Sequence, residues 1–144
     1  MTEEKQQFLT EKARQVRNLA LDGIYAAQSG HPGGSFSAAD IITYLYFDKL
    51  NVDPQNPTMD SRDRFVLSKG HCCPALYAAL AMRGFFDVSE MQSLRKLGAL
   101  LQGHPDMKTI PGIDMSTGSL GQGVSAACGI AKELKRKGNP ARVY

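Results

Sequence analysis

Arg64-Phe65-Val66-Leu67-Ser68-Lys69-Gly70-His71-Cys72-Cys73-Pro74-Ala75-Leu76-Tyr77 reads as a strand, a turn and the opening of a helix. Residues 64–68 are a short β-prone run. Lys69-Gly70-His71 forms the turn, and a helix is predicted over 74–83 with Gly84 ending it. In open α/β sheets, ligands collect where a strand gives way to a helix. His71 is the titratable side chain at that crossing. Its two readings are a ligand contact and a histidine that merely starts a helix.

Working outward, Leu9, Ala13, Val16, Ala20, Ile24 and Ala27 recur at three- and four-residue steps. They predict an amphipathic helix over 3–29, stopped by Gly30. His31-Pro32-Gly33-Gly34-Ser35-Phe36 reads as a loop. Ser37 with Asp40 resembles a capping box opening a second helix. Ile41, Ile42, Tyr44, Leu45, Tyr46 and Phe47 make that helix apolar nearly all round, so burial on several sides is expected. Residues 51–63 form a polar connection with Pro54 and Pro57.

On the other side, Ser89 and Gln92 form a capping box for a short helix reaching Leu97. Residues 101–114 are irregular. Gly118-Ser119-Leu120-Gly121-Gln122-Gly123 opens a small-residue helix over 124–137, closed by Gly138-Asn139-Pro140. Ala141-Arg142-Val143-Tyr144 then resembles the start of a second strand. One strand cannot satisfy its own backbone groups. Residues 1–144 are therefore expected to be a partial domain, incomplete at the C-terminus, or half of a split one.

All three histidines follow a glycine: Gly30-His31, Gly70-His71 and Gly103-His104. Composition alone would produce this in about one sequence in a thousand. His31 and His104 are each followed by proline, which stiffens the exit from the turn. Alone, each of these two reads as a loop residue. Together the three imidazoles point to one polar site, because imidazole donates, accepts and carries charge near neutral pH.

Hydrophobic residues make up 42% and charged residues 22% of the 144, the balance of a globular domain with a real core. The net charge of +3 is mildly basic, and its lysines and arginines form no patch, which argues against a nucleic-acid footprint. No apolar stretch approaches a membrane span, and no secretory leader is read. Cys72, Cys73 and Cys128 lack Cys-x-x-Cys spacing, and the adjacent pair would bridge only with strain. Free thiols and a cytoplasmic location are expected.

The Gly118–Gly123 stretch admits three readings: a phosphate cradle at a helix N-terminus, a bare-backbone surface for a flat ring, and close helix packing. The glycine order is not Gly-x-Gly-x-x-Gly and no Walker pattern occurs, so the flat-ring reading is preferred. Asp106 and Asp114 read as solvated or capping loop carboxylates. Ser29, Ser35 and Ser119 read as donors or ordinary turn residues. No serine nucleophile elbow occurs, and a Cys72 thiolate activated by the adjacent His71 is disfavoured.

SGHPGGSFSAADI (29–41), DRFVLSKGH (63–71), GHPD (103–106) and STGSLGQG (116–123) occur in the order and spacing of the transketolases. Across almost its whole length the chain resembles the N-terminal, cofactor-binding half of that family. It is most similar to the split bacterial and archaeal forms, in which a second polypeptide carries the pyrimidine-binding and C-terminal domains.

The resemblance implies an α/β thiamine diphosphate-binding fold, a parallel sheet flanked by helices. This chain itself would be mostly helical, with one or two short strands. It implies transfer of a two-carbon ketol unit from a ketose phosphate to an aldose phosphate, with the cofactor supplying the hard chemistry. By similarity, His31 faces the reacting carbonyl oxygen and sugar hydroxyls, and His104 holds the terminal hydroxyl of the donor. His71 contacts the diphosphate, while Gly118, Ser119 and Leu120 pack against the cofactor rings. The family's Gly-Asp-Gly magnesium motif has no counterpart here, so magnesium ligands are expected beyond Tyr144 and none in this chain. Expected partners are sugar phosphates, a C-terminal transketolase half and further copies of the complete enzyme, without nucleic acid or membrane. Alone, the chain is expected to bind cofactor weakly and to be inactive. Deoxyxylulose-phosphate synthase, dihydroxyacetone synthase and a non-catalytic docking remnant are the alternatives.

Overall fold

Thr2 begins the first helix by accepting a hydrogen bond from the Lys5 amide at 3.3 Å. Glu3 and Glu4 follow in the first turn, where the helix dipole favours negative charge. This helix, α1, spans Glu3–Ala27 and buries Ala13, Val16, Ala20 and Ile24 on one face. It ends earlier than the glycine signal predicts. Gln28 takes the left-handed cap at φ 49°, while Gly30 is needed for packing. A methyl on Gly30 would come within 2.9 Å of Ile24 Cγ1. The structure is a computed structural model describing residues 1–144.

The second helix, α2, spans Pro32–Tyr44, so the predicted loop over 31–36 is helical from Pro32 onward. Pro32 in the first turn has its φ already set for a helix, and its missing N–H costs nothing there. Ser37 is therefore not a cap: its hydroxyl donates to the Gly34 carbonyl at 2.9 Å. Asp40 instead pairs with Arg17 of α1. Nor is this stretch buried on several sides. Ile41 is 64% and Tyr44 39% exposed, while Ala38, Ala39 and Ile42 face inward. A π-turn, Leu45–Lys49, continues it and buries Leu45 and Tyr46.

The third helix, α3, spans Cys73–Met82, close to its predicted place. Every residue from Cys73 to Ala81 is buried, and α1, α2 and the 3-10 turn Val88–Ser93 surround it. Leu76 and Leu80 are each worth about 1.5–3 kcal/mol in burial. The Val88–Ser93 turn is capped by Asp87, which accepts from the Ser89 amide at 2.7 Å, rather than by Ser89 itself. It stops well before Leu97, which is fully exposed.

Two extended segments pair in parallel. The Arg64 amide donates to Arg142 O at 2.8 Å, Tyr144 N to Arg64 O at 2.9 Å and Val66 N to Tyr144 O at 3.0 Å. The fourth helix, α4, spans Gly123–Arg136 and buries only Gly123 and Leu134. Val66, Val124, Ala127, Cys128, Val143 and Tyr144 line an apolar cavity of about 280 Å³ between this helix and the strand pair. The outcome is a mostly helical chain with one short parallel pairing. No helix is long and apolar enough to cross a membrane.

Candidate functional site

The first connection is between His31 and His71. Their ring centroids lie 5.0 Å apart, edge to face. His31 is the N-cap of α2, and His71 lies in the 3-10 turn Gly70–Cys72 that leads into α3. Two features hold the turns together. A methyl on Gly34 would collide with Cys72 Sγ, so a glycine is required for α2 to approach the turn. Lys69 Nζ donates to the Gly34 carbonyl at 3.2 Å and to Ser37 Oγ at 2.8 Å. His31 is exposed and His71 half-buried, so both rings remain accessible.

The second connection runs from Gly70 to the Gly118 loop. A methyl on Gly70 would lie 2.5 Å from the Thr117 carbonyl oxygen. Thr117 Oγ1 donates to Leu67 O at 2.8 Å, and the Gly121 amide donates to Ser68 O at 2.9 Å. Gly123 lies so close to Ser68 that a Cβ would be 2.9 Å from its Cα. This stretch is therefore anchored along 67–70, the turn that carries His71.

His104 completes the circuit. A Cβ on Gly118 would stand 3.7 Å from its Cδ2, so the ring faces bare backbone. Its loop is fastened to α3 from below. Cys73 Sγ donates to Gly103 O at 3.3 Å and Tyr77 Oη to Gln102 O at 3.0 Å. Burial pushes the Cys73 thiol up to about 12, so it serves as a neutral donor. Cys72 is likewise buried, its thiol raised by desolvation, which removes it as a nucleophile.

All three histidines, spread over more than seventy residues of sequence, thus belong to one contiguous set of contacts. Gly118, Ser119 and Leu120 lie beside them, exposed; Leu120 is 72% exposed, unusual for leucine. A cavity of about 240 Å³ opens along this loop, lined by Thr117, Gly118, Ser119, Gln122, Gly123 and Ala126 and by none of the three imidazoles. The amides of Gly121, Gln122 and Val124 are already bonded to Ser68, Ser119 and Gly121 carbonyls. Those three donors are occupied, Gly118 and Leu120 are exposed, and Gly123 packs closely on Ser68.

Asp114 departs from the sequence reading. It is neither solvated nor a cap: its side chain is 3% exposed. It accepts from Arg62 Nη1 at 3.1 Å, Arg62 Nη2 at 2.5 Å and the Phe65 amide at 2.9 Å. Burial raises its carboxyl above the ordinary range, against the pull of Arg62. The ion pair ties the irregular loop to the first strand. Ser35 is wholly buried, and its hydroxyl has no hydrogen-bond partner. Lys69 belongs to the SKGH motif, but its clamp on Ser37 carries no signal in spacing. No group of three His, Cys, Asp or Glu side chains is arranged to hold a metal ion.

Known proteins resemble this chain in sequence and in fold. Residues 9–141 match the model of the transketolase, thiamine diphosphate binding domain family. The chain is 45% identical over 141 residues to the 6-deoxy-6-sulfo-D-fructose transketolase subunit SqwG of Clostridium sp. (strain MSTE9), covering 98% of this chain and 51% of that protein. It is 44% identical to human transketolase over 129 residues, 90% of this chain and 20% of that one. The chain thus spans about half the length of the first of these relatives and a fifth of the second. Among solved structures, transketolase from Campylobacter jejuni superposes with a TM-score of 0.84 at 39% identity, over 91% of this chain and 21% of that one. The Leishmania mexicana enzyme also gives 0.84, at 32% identity, over 94% and 22%.

Proposed function

The chain belongs to the transketolase family of thiamine diphosphate-binding domains, and on that premise we propose that it forms the cofactor-facing part of an enzyme that transfers a two-carbon ketol unit between sugar phosphates. The observation supporting this most directly is the edge-to-face meeting of His31 and His71 beside the His104–Gly118 pair.

The residues present suit thiamine diphosphate. Gly118 and Leu120 offer an exposed apolar surface for flat rings, with the His104 ring in van der Waals reach of Gly118. When bound, the cofactor supplies the electron sink for C–C cleavage. This chain's residues then bind and steer protons. His71 would contact the diphosphate from its turn. His31, whose ring meets that of His71, would exchange a hydrogen bond with the reacting carbonyl oxygen and sugar hydroxyls. His104 holds the donor's terminal hydroxyl. Imidazole suits both tasks because it gives and takes a proton near operating pH. Gly118, Ser119 and Leu120 would seat the rings.

Magnesium would join the diphosphate through oxygen ligands. We assign those ligands to the remainder of the assembled enzyme and none to this chain. The companion is a polypeptide carrying the pyrimidine-binding and C-terminal domains, and the complete enzyme is a cytoplasmic homo-oligomer. SqwG and an apulose-4-phosphate transketolase of Phocaeicola vulgatus both carry names that mark them as single subunits of larger enzymes, which supports a split enzyme.

A coupled assay with xylulose 5-phosphate and ribose 5-phosphate tests the proposal, run with and without the companion half. Turnover that requires both supports it, and His31→Ala or His104→Ala should lower turnover by about 10²–10⁴. Turnover in no reconstitution, with any ketose phosphate, returns the chain to a docking remnant. Micromolar affinity of the isolated chain for thiamine diphosphate and magnesium in titration calorimetry would contradict the division of the site.

A further inference from the structure

Arg95 is the one residue outside glycine and helix caps with a left-handed backbone, at φ 62°. Such a conformation is uncomfortable for a side chain with a Cβ. It is locked by the Arg95 amide, which donates to Leu101 O at 2.8 Å and closes the loop 95–101. Strain of this kind persists where surrounding structure or function holds it.

The side chain lies on Gly103. A Cβ built there would stand 3.1 Å from both Cζ and Nε of Arg95 and 3.2 Å from Nη2. Near-equal distances to three atoms of a planar group mean that the guanidinium lies flat across the Gly103 Cα. Arg95 makes no ion pair or side-chain hydrogen bond, unlike Arg14, Arg17, Arg62, Arg64 and Arg136. The contact is thus a stack of a flat cation on bare backbone, one residue before His104. From beneath, Cys73 Sγ holds the Gly103 carbonyl. Gly103 is therefore gripped on two sides, and the next residue is the imidazole facing Gly118.

We propose that Arg95 is the positioning residue of His104, its guanidinium setting the pitch of the Gly103-His104-Pro105 turn. A side chain at 103 would press the guanidinium aside by a few tenths of an ångström, so the bare glycine is what lets the stack lie this close. The stack also explains why an arginine occupies a position where glycine or asparagine would sit more easily. The link to turnover rests on the function proposed above for His104; the geometric claim does not.

The test uses the full chain with Arg95→Gly, which removes both the guanidinium and the strain. Arg95→Asn is the second variant, because asparagine tolerates the left-handed region. The chain has three histidines, so ring resonances can be assigned by single His→Gln substitutions and followed by ¹H–¹³C correlation. Expected is a shifted or broadened His104 ring signal in both variants, with His31 and His71 unmoved. Thermal stability should be equal or higher by about 2–4 °C in Arg95→Gly. After reconstitution with the companion half, kcat should fall on the order of 10- to 100-fold. A wild-type His104 signal in both variants overturns the proposal. A displaced His104 with unchanged kcat upholds the positioning role and instead removes His104 from the reaction.

Discussion

The sulfur of Cys72 fills the space that a methyl group on Gly34 would need. This contact brings the start of α2 onto the turn carrying His71, and so places His31 beside it. Gly34→Ala should therefore cost about 1–3 kcal/mol by overpacking. Cys72→Ala opens the same space, so the double variant should recover much of the loss. Urea denaturation of the four proteins measures the coupling; strictly additive effects would show that the two sites do not meet.

Arg62 and Asp114 form a two-pronged ion pair with side chains only 8% and 3% exposed. Removing one partner strands the other charge. Asp114→Ala should cost about 3–5 kcal/mol, whereas Arg62→Met with Asp114→Leu should recover only part of that loss, because the Phe65 amide and Arg64 still lose their acceptor. The comparison needs only denaturation midpoints at constant slope.

The three thiols differ in their surroundings. Cys128 is exposed on α4, while Cys72 and Cys73 are buried and Cys73 is pushed up to about 12. At pH 8 a colorimetric disulfide reagent should titrate one thiol rapidly in the native chain and all three in denaturant. Fast modification of a second native thiol would contradict the packing around Gly34 and Gly103.

Asp106 accepts from the Lys108 amide at 2.9 Å and from Ser116, which holds its carboxyl below the ordinary 3.8. A depressed native value means that the stabilisation is complete above 3.8 and is lost as pH falls through the lower native value. Asp106→Asn, which resembles the protonated carboxyl, should lower the neutral plateau and flatten the acid limb, so that variant and parent converge at the acid end. A neutral plateau equal to the parent's with an equally steep acid limb would refute this.

The helices are legible in the sequence where one periodicity acts alone. The Ala13, Val16, Ala20 and Ile24 series places α1, and α3 follows from an unbroken apolar run. Boundaries fail where local signals compete. Ser37 and Asp40 look like a capping box, but Pro32 starts the helix five residues earlier and leaves Asp40 free for Arg17. Glycines at 30, 34 and 123 look like loop punctuation, yet each is demanded by a close approach of Ile24, Cys72 or Ser68. Such approaches depend on tertiary packing and leave no trace in spacing. The histidines are readable as a group because each carries a glycine before it. Arg95, Lys69 and Asp114 are not, since their roles rest on contacts across distant segments.

The parallel pairing of Arg64 with Val143 also has a kinetic side. Helices α1 to α3 pack through sequence neighbours and can condense early, whereas this ladder must wait for a loop of nearly eighty residues to close. On a translating ribosome the three-helix core would assemble first. The Gly118 shelf would join later, once Thr117 and Gly121 reach Leu67 and Ser68, so a chain stalled before those residues emerge would carry a formed His31–His71 pair without its floor.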